Sequence, residues 1–258
     1  MKTLIAAAAA LALSAGAARA QDADVTALQN LGSDYALGFH IGDAARMLAT
    51  THRDLSKRGV RRIGAEGPEA LTWLEGDMLR YAGAHYDDTD QFDESTQRIV
   101  NVFEVSGDVA VLELIAGDWF DAFTAIRTAE GWRLLDCVWG VLDEYEAPDV
   151  DAGEAAEAAG VMAAFAQAAA AGHDAALDRV MHAQAQMRGL DRGALRALTR
   201  DQIYAGLGAR TGAPEPHVFN ATRRTALGRV RHGGATYWLQ LLRIDGAWRV
   251  VNVHWRDA

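Results

Sequence analysis

The stretch Thr124–Gly140, TAIRTAEGWRLLDCVWG, decides the fold, because a closely similar sequence is repeated at Gln240–Arg256, QLLRIDGAWRVVNVHWR. Each stretch alternates apolar and polar residues on either side of a glycine-containing turn, a pattern that is typical of two antiparallel strands joined tightly. The tryptophans of the second strand repeat with the same seven-residue spacing, at Trp132 and Trp139 and at Trp248 and Trp255. The chain therefore contains two copies of one domain.

The repetition extends well before the hairpin. His52 is matched by His182 at an offset of 130 residues, and Ala70 by Ala194 at an offset of 124. In the hairpin the offset is 116. The second copy has thus lost residues at two places, around Arg61–Gly67 and Asp87–Ser95, where loops are expected and where a true duplication varies.

The repeat and the composition predict four segments: a signal peptide at residues 1–20, a first domain at 21–142, an acidic linker at 143–153 and a second, divergent domain at 154–258. Lys2 precedes an apolar run at Leu4–Leu13, and Ala18-Arg19-Ala20 is a small-x-small cleavage site. We expect cleavage after Ala20 and export to the periplasm or outside the cell. The apolar run is too short to span a bilayer, and no other segment predicts a membrane span.

Composition argues against several classes of function. The formal net charge is −10, and nucleic acids and anionic membranes select basic surfaces. The eight histidines show no metal-binding spacing, and the acidic runs at Asp87–Ser95 and Asp143–Glu157 lack the spacing of a calcium loop. No P-loop is present, and the glycines at Gly206–Gly212 follow a predicted helix rather than a strand. We expect neither a metal nor a cofactor.

In each copy the sequence first predicts helices and then a series of strands. This order favours an α+β fold in which a curved antiparallel sheet wraps over N-terminal helices. Helices are predicted at Asp22–Ile41 and Asp43–Thr50. Pro68 followed by Leu71, Leu74 and Met78 predicts a third helix, which ends near Gly83. Strands are predicted at Leu55–Val60, Arg98–Val105, Val109–Ile115, Trp119–Arg127 and Trp132–Trp139.

The motif GDAxxMxxxxHxDLxKR at Gly42–Arg58, together with EGWRLLDCVW at Glu130–Trp139, resembles the nuclear transport factor 2-like superfamily. It is similar, more narrowly, to the bacterial group labelled lumazine-binding. The resemblance covers nearly all of the first copy and is weaker in the second, where Asp54 becomes Gln184 and Lys57 becomes Met187. It implies two tandem cone-shaped domains, each of which encloses a pocket.

Three candidate site residues lie near the start of the first sheet. His52 is repeated as His182 and is a candidate general base or ligand donor; a helix-capping or packing role is the alternative. The resemblance places Lys57 and Arg58 on a strand that lines the pocket in isomerase and dehydratase relatives. The ketosteroid isomerase branch has a catalytic carboxylate near the end of that strand, whereas Leu55–Val60 contains no acid. Cations there favour an anionic or carbonyl-bearing ligand, and simple solvation is the alternative.

The late strands supply the remaining candidates. Trp119, Asp121 and Phe123 share one face by alternation, which predicts a carboxylate between two aromatic rings. Asp118 and Asp136 are further acids, and exposure at the sheet edge is the alternative for all three. Cys137 lies on the apolar side of its strand and predicts a small buried hydrophobe rather than a reactive thiol.

Three hypotheses of function remain open. The first is a binding module without catalysis, with a pocket for a small apolar or amphipathic ligand. The second is an enzyme of the isomerase, dehydratase or hydrolase kind, in which His52 and Asp121 converge on one cavity. The third is a protein-interaction module with filled cones. Because domains of this superfamily pair through their sheets, we also expect the two copies to form an internal pseudo-dimer and the chain to be a monomer.

Overall fold

The computed structural model describes residues 2–86, 89, 92–141, 152–191, 194–199, 201 and 212–257, with described side chains from Gln21 onward. Most of the predicted acidic linker and the glycines at positions 206 and 208 lie outside these residues. Five helices with described bounds precede or interrupt the strands in this part of the chain: α1 Lys2–His40, α2 Ala44–Thr50, α3 Gly76–His85, α4 Ala152–Ala171 and α5 Asp174–Val180. None of the described helices is long and apolar enough to cross a membrane.

The strands form two six-stranded sheets with the same order. The first sheet runs β2-β1-β6-β5-β4-β3 and the second β8-β7-β12-β11-β10-β9. In each, the pairs are antiparallel except where the first strand lies parallel to the last. The strands are β1 Thr51–Arg62, β2 Glu69–Glu75, β3 Arg98–Ser106, β4 Val109–Ala116, β5 Trp119–Thr128, β6 Gly131–Val141, β7 Met181–Asp191, β8 Ala194–Ala197, β9 Glu215–Ala221, β10 Thr225–His232, β11 Ala235–Ile244 and β12 Ala247–Asp257.

The prediction of a helix after Pro68 is wrong at its beginning. Residues 69–75 form the edge strand β2, and the helix begins only at Gly76. Leu71 packs in the cluster between the domains, whereas Leu74 packs on the opposite side of the sheet. A spacing of three residues places two side chains on one face of a helix but on opposite faces of a strand. The strand buries Leu71 and half-buries Leu74.

Each sheet has an inner face, which packs on its own helices, and an outer face, which packs on the other domain. In the first domain Leu28, Leu31 and Tyr35 of α1 are buried against Phe123 and Leu134 of the inner face. The described packing of α1 begins at Asp24, whose carboxylate accepts hydrogen bonds from Arg127 and from Trp132 Nε1. In the second domain α4 covers the equivalent inner face with Met162 and Phe165.

The two outer faces pack together into one apolar cluster. It combines side chains of both sheets: Leu71, Val109, Val111, Phe120, Ala122, Val138, Leu227, Trp238, Leu242 and Val251. Polar contacts cross the cluster in matched pairs. Arg58 donates to Gln184 O at 2.6 Å, and its counterpart Arg188 donates to Asp54 O. The domains are therefore related as the two halves of a dimer. This confirms the predicted α+β fold with two similar domains.

Candidate functional site

A small cavity lies on the inner face of the first domain, between α1, α3 and the sheet. Its volume is about 90 Å³. The polar groups at its wall are Lys57 of β1, Asp121 of β5 and His40 at the end of α1. The remaining wall is aromatic or aliphatic and consists of Tyr35, Ala36, Phe39, Leu74, Leu79, Leu114, Ala116, Trp119 and Trp139.

Lys57 and Asp121 form a buried ion pair at this cavity. Lys57 Nζ lies 2.7 Å from Asp121 Oδ1 and donates to Oδ2 at 2.8 Å, and the two side chains are only 8% and 6% exposed. The same ammonium donates to the Tyr35 hydroxyl at 3.0 Å, and the Cys137 thiol donates to Asp121 Oδ1 at 3.5 Å. The ammonium thus donates two hydrogen bonds within the protein and has the second carboxylate oxygen of Asp121 in contact.

Aromatic rings surround the Lys57 ammonium. Nζ lies 5.4 Å from the ring centroid of Tyr35, 5.9 Å from that of Phe39 and 5.7 Å from that of Trp139. The Trp119 ring packs on Trp139 with centroids 5.2 Å apart. Because the negative face of a ring attracts a cation, these rings stabilise the ammonium in its buried site.

The pKa values of the cavity groups follow from burial and from the ion pair. Burial by itself lowers the pKa of Lys57, but Asp121, Tyr35 and Cys137 raise it, and the net pKa is above the ordinary 10.5. Burial also raises the pKa of the Tyr35 hydroxyl above 10.0 and that of the Cys137 thiol well above 9.0. At neutral pH the site therefore contains an ammonium, a neutral phenol and a neutral thiol.

The second domain replaces this ion pair with apolar packing. Met187 stands where the first domain has Lys57, and Tyr237 stands where it has Asp121. Both are buried, and Tyr237 packs edge-to-face on Phe165 with ring centroids 5.6 Å apart. Among the described residues, the inner face of the second domain is lined by an apolar core rather than by a charged pair.

The structure brings together only part of the predicted site. Lys57, Trp119 and Asp121 line the cavity, and Phe123 lies on the same face, fully buried with its ring 5.1 Å from that of Tyr35. Asp118 is exposed in the β4–β5 turn. The predicted sharing of one face by the residues of β5 is confirmed.

Arg58 faces the other way. Because residues alternate along a strand, it lies on the outer face, where it donates to Gln184 O of the second domain and to Ser56 Oγ at 3.0 Å. Asp136 is also on the outer face, is buried, and forms an ion pair with Arg188. Burial raises the pKa of Asp136, although Arg188 and Arg58 oppose this effect. Both residues stabilise the contact between the domains.

His52 does not join Asp121. Its Nδ1 accepts a hydrogen bond from Asp54 N at 3.1 Å, within a stretch where the pairing of β1 with β6 shifts register. His182 accepts from Gln184 N at 3.2 Å in the same way. The histidine is thus repeated because it closes an irregular turn of each first strand. His52 does not line the cavity, so the arrangement that requires it beside Asp121 is not present.

Sequence reasoning missed Tyr35, Phe39, His40 and Trp139 as cavity residues. His40 is buried and stacks on Phe92 with ring centroids 4.0 Å apart. Tyr35 had one available signal, since its equivalent in the second copy is Phe165, so that the hydroxyl is lost together with Lys57 and Asp121. Among the described residues no group of three or more potential metal ligands lies together.

Comparison with solved structures returned nuclear transport factor 2-like proteins. One, of unknown function, from Silicibacter pomeroyi, has 20% identity and a TM-score of 0.37, over 47% of this chain and 98% of its own. Another, described as having a cystatin-like fold, from Novosphingobium aromaticivorans, has 19% identity and a TM-score of 0.34, over 52% and 92%. A ketosteroid isomerase-like protein from Erwinia carotovora atroseptica has 16% identity and a TM-score of 0.31, over 45% and 95%.

No protein-family model matches the chain, and no curated protein matches it at a significant level. The chain itself has two similar six-stranded sheets, each preceded by helices. This is consistent with two tandem nuclear transport factor 2-like domains. The narrower resemblance to the lumazine-binding group stays a prediction.

Proposed function

We propose that the protein is an exported binding protein without catalysis, in which the first domain takes up a small neutral molecule and the second domain is its structural partner. The observation that carries this proposal is the buried Lys57–Asp121 pair in an aromatic cavity of one domain only. The second domain has Met187 and Tyr237 at the equivalent positions. A buried ion pair is costly in free energy, because both charges lose their water. Its presence in one copy of a duplicated fold, and not in the other, indicates that the pair has a function.

The size of the cavity limits the ligand. Pockets for drug-sized molecules measure roughly 300–1,000 Å³, whereas a site for one water needs about 10–15 Å³ in the same measure. A cavity of about 90 Å³ therefore suits a molecule of a few non-hydrogen atoms, or one end of a longer amphipathic molecule.

The charge state of the cavity favours a neutral ligand. The Lys57 ammonium is already bonded to Asp121 and Tyr35, so an anionic ligand would have to compete with Asp121. A cationic ligand would be repelled by the ammonium across a buried site of low dielectric. The faces of Phe39, Trp119 and Trp139 instead offer apolar contact to a neutral molecule.

The same geometry disfavours proton transfer. A general base needs a free carboxylate or a neutral amine within reach of the substrate. Asp121 is held on both oxygens by the ammonium, and the raised pKa of Lys57 makes that ammonium a weak acid. His52, the base expected from the sequence, does not line the cavity, and the imidazole that does, His40, is stacked on Phe92.

Ligand-observed NMR on the purified protein tests the binding proposal. We expect saturation transfer to 1-butanol and cyclopentanone, and none to butyrate or butylammonium of similar size. Ala116→Leu, which extends a cavity-lining side chain into the space, is expected to abolish the signal. Ala129→Leu makes the same change at an exposed turn and serves as its control. Equal signals from all four probes, or an unchanged signal in Ala116→Leu, would refute a neutral-ligand site.

Export is the second part of the proposal. It is supported by the signal-peptide pattern at residues 1–20. Expressed in a Gram-negative host, the protein should be recovered from the periplasm with Gln21 as its first residue. Leu11→Arg, which interrupts the apolar run, should leave the protein uncleaved in the cytoplasm. N-terminal sequencing of both fractions decides the outcome.

We also propose that the chain is a monomer, because each outer face is already covered by the other domain. Light scattering on the mature protein should give the mass of one chain across a hundredfold range of concentration. A dimer would contradict this part of the proposal and leave the ligand site untouched.

A further inference from the structure

We infer that the two outer faces carry a charge code that makes the first domain pair with the second domain in preference to a copy of itself. The inference concerns the residues on β3, β4, β9 and β10, where the domains meet at the far end of the sheets from Arg58. It is independent of the ligand site.

Two polar contacts define this end of the interface. Arg229 of β10 forms an ion pair with Glu104 of β3, and Glu104 also accepts a hydrogen bond from Trp238 Nε1 at 3.2 Å. On the other side, Asn220 of β9 donates to Glu113 of β4, whose second oxygen accepts from Asn101 at 2.7 Å.

The two contacts join equivalent positions of the two domains. In each contact, a residue on the fourth strand of one domain meets a residue on the third strand of the other. Glu113 precedes Leu114, which pairs with Asp121, and Arg229 precedes Val230, which pairs with Tyr237 at the equivalent position of β11. Glu104 pairs with Val111, and Asn220 pairs with its equivalent Leu227. Exchange of the two domains therefore superposes Glu113 on Arg229 and Glu104 on Asn220.

Pairing of the first domain with its own copy would repeat the wrong sign twice. In the same arrangement, Glu113 of one copy would meet Glu104 of the other, on both sides of the interface. Glu113 is only 2% exposed, so these two glutamates would be brought together with little screening by water. Like charges at this distance in a site of low dielectric are strongly unfavourable.

Pairing of the second domain with its own copy fails for the opposite reason. Arg229 would meet Asn220 and find no acid, twice. The same holds at the centre of the interface, where Arg188 now pairs with Asp136 of the first domain and would face Asn252 instead. Such a pair would leave four arginines without a carboxylate at a largely buried interface, and uncompensated buried charges are costly.

At the centre of the interface a first-domain pair would be tolerated, because Arg58 is the counterpart of Arg188 and would meet Asp136 of the copy. The selection against that pair therefore rests on Glu104 and Glu113, and at their end of the interface only the mixed pair brings opposite charges together. The outer face of the first domain carries the acids Glu104, Glu113 and Asp136. The outer face of the second domain carries the arginines that form ion pairs with two of them: Arg229 with Glu104, and Arg188 with Asp136. The partner that fits the first face is therefore a face of the second kind, which the same chain supplies.

The test uses the whole chain and reverses one charge at a time. Arg229→Glu places an acid against Glu104, and we expect it to lower the melting temperature by roughly 6–12 °C and to increase the radius of gyration in X-ray scattering as the domains separate. Arg231→Glu makes the same change of charge on the same strand at an exposed position. It faces Glu215 across the strand pair, so we expect it to lower the melting temperature by at most about 4 °C and to leave the radius of gyration unchanged.

The reciprocal variant separates a charge code from a general loss of packing. In Glu104→Arg with Arg229→Glu the signs are exchanged, and we expect at least half of the lost melting temperature and the compact radius of gyration to return. The hydrogen bond from Trp238 is not restored, so recovery is incomplete. If the reciprocal variant is no better than Arg229→Glu alone, or if Arg229→Glu behaves like Arg231→Glu, the inference is wrong.

Discussion

Substitution of Lys57 by Met gives the first domain the residue that the second domain has at Met187. The methionine fills a similar volume, but it removes the cation and leaves the Asp121 carboxylate in the aromatic cavity. That carboxylate would keep only the weak hydrogen bond from Cys137 among the contacts described. The variant therefore isolates the effect of an unpaired buried charge from the effect of lost packing.

The magnitude follows from the geometry of the pair. Both oxygens of Asp121 lie within 2.8 Å of the ammonium, and neither side chain is more than 8% exposed. Removal of one partner of such a buried pair costs about 3–5 kcal/mol, because the remaining charge has neither water nor a counter-ion. For a protein of this size that loss lowers the melting temperature by roughly 6–20 °C.

The assay is a double-mutant cycle in thermal or chemical unfolding, with Lys57→Met, Asp121→Asn and both together. The double variant contains no charge at the site, and we expect it to recover most of the stability that Lys57→Met loses. A loss below about 1 kcal/mol in Lys57→Met, which is the size expected of an exposed pair, would refute the reasoning. So would a double variant that is as unstable as Lys57→Met alone.

Three further substitutions test the interface and the repeated histidine. His254, which is buried between the domains, has a pKa lowered from 6.5 to about 3 by burial and by the nearby Arg188 and Arg256. The unfolded chain therefore binds a proton that the folded chain does not, and stability falls as the pH decreases from 6.5 towards 3. His254→Val, the residue found at Val138, should reduce the loss of stability between pH 7 and pH 5 by about 2 kcal/mol in urea unfolding. Asp136→Asn leaves Arg188 without its carboxylate and should destabilise the protein by about 3 kcal/mol, with ligand binding unchanged. His52→Ala removes one local hydrogen bond and should cost only about 1 kcal/mol, whereas a large loss would indicate a role beyond the turn of β1.

The fold was predictable to the extent that two copies of one pattern could be compared. The repeated hairpin identified the duplication, and apolar alternation located most of the strands. The helix expected after Pro68 failed because Leu71 and Leu74 satisfy both a helical spacing and the two faces of a strand. Only the pairing of β2 with β1 decides between these, and that pairing is a tertiary contact.

The site was predictable on the late strands and less so on the first. Alternation correctly grouped Trp119, Asp121 and Phe123, since strand periodicity fixes which side chains share a face. Alternation could not predict that Lys57 points inward and Arg58 outward, because both are cations and both have polar and apolar neighbours in the sequence. The repeated histidine suggested function, and the structure gives it a local role in the backbone that each copy needs equally.

The parallel pairing of β1 with β6 has a consequence for the order of folding. Strands β3 to β6 form a meander of neighbouring hairpins, whose contacts are local in sequence, whereas β1 must find a partner across the whole domain. Because closing a long loop is slow, we expect the meander to assemble early and β1 to dock late. Lys57 and Asp121 are 64 residues apart and meet only at that docking. Each charge can then keep its water until its partner arrives, and the cavity beside Lys57 is among the last parts of the first domain to form.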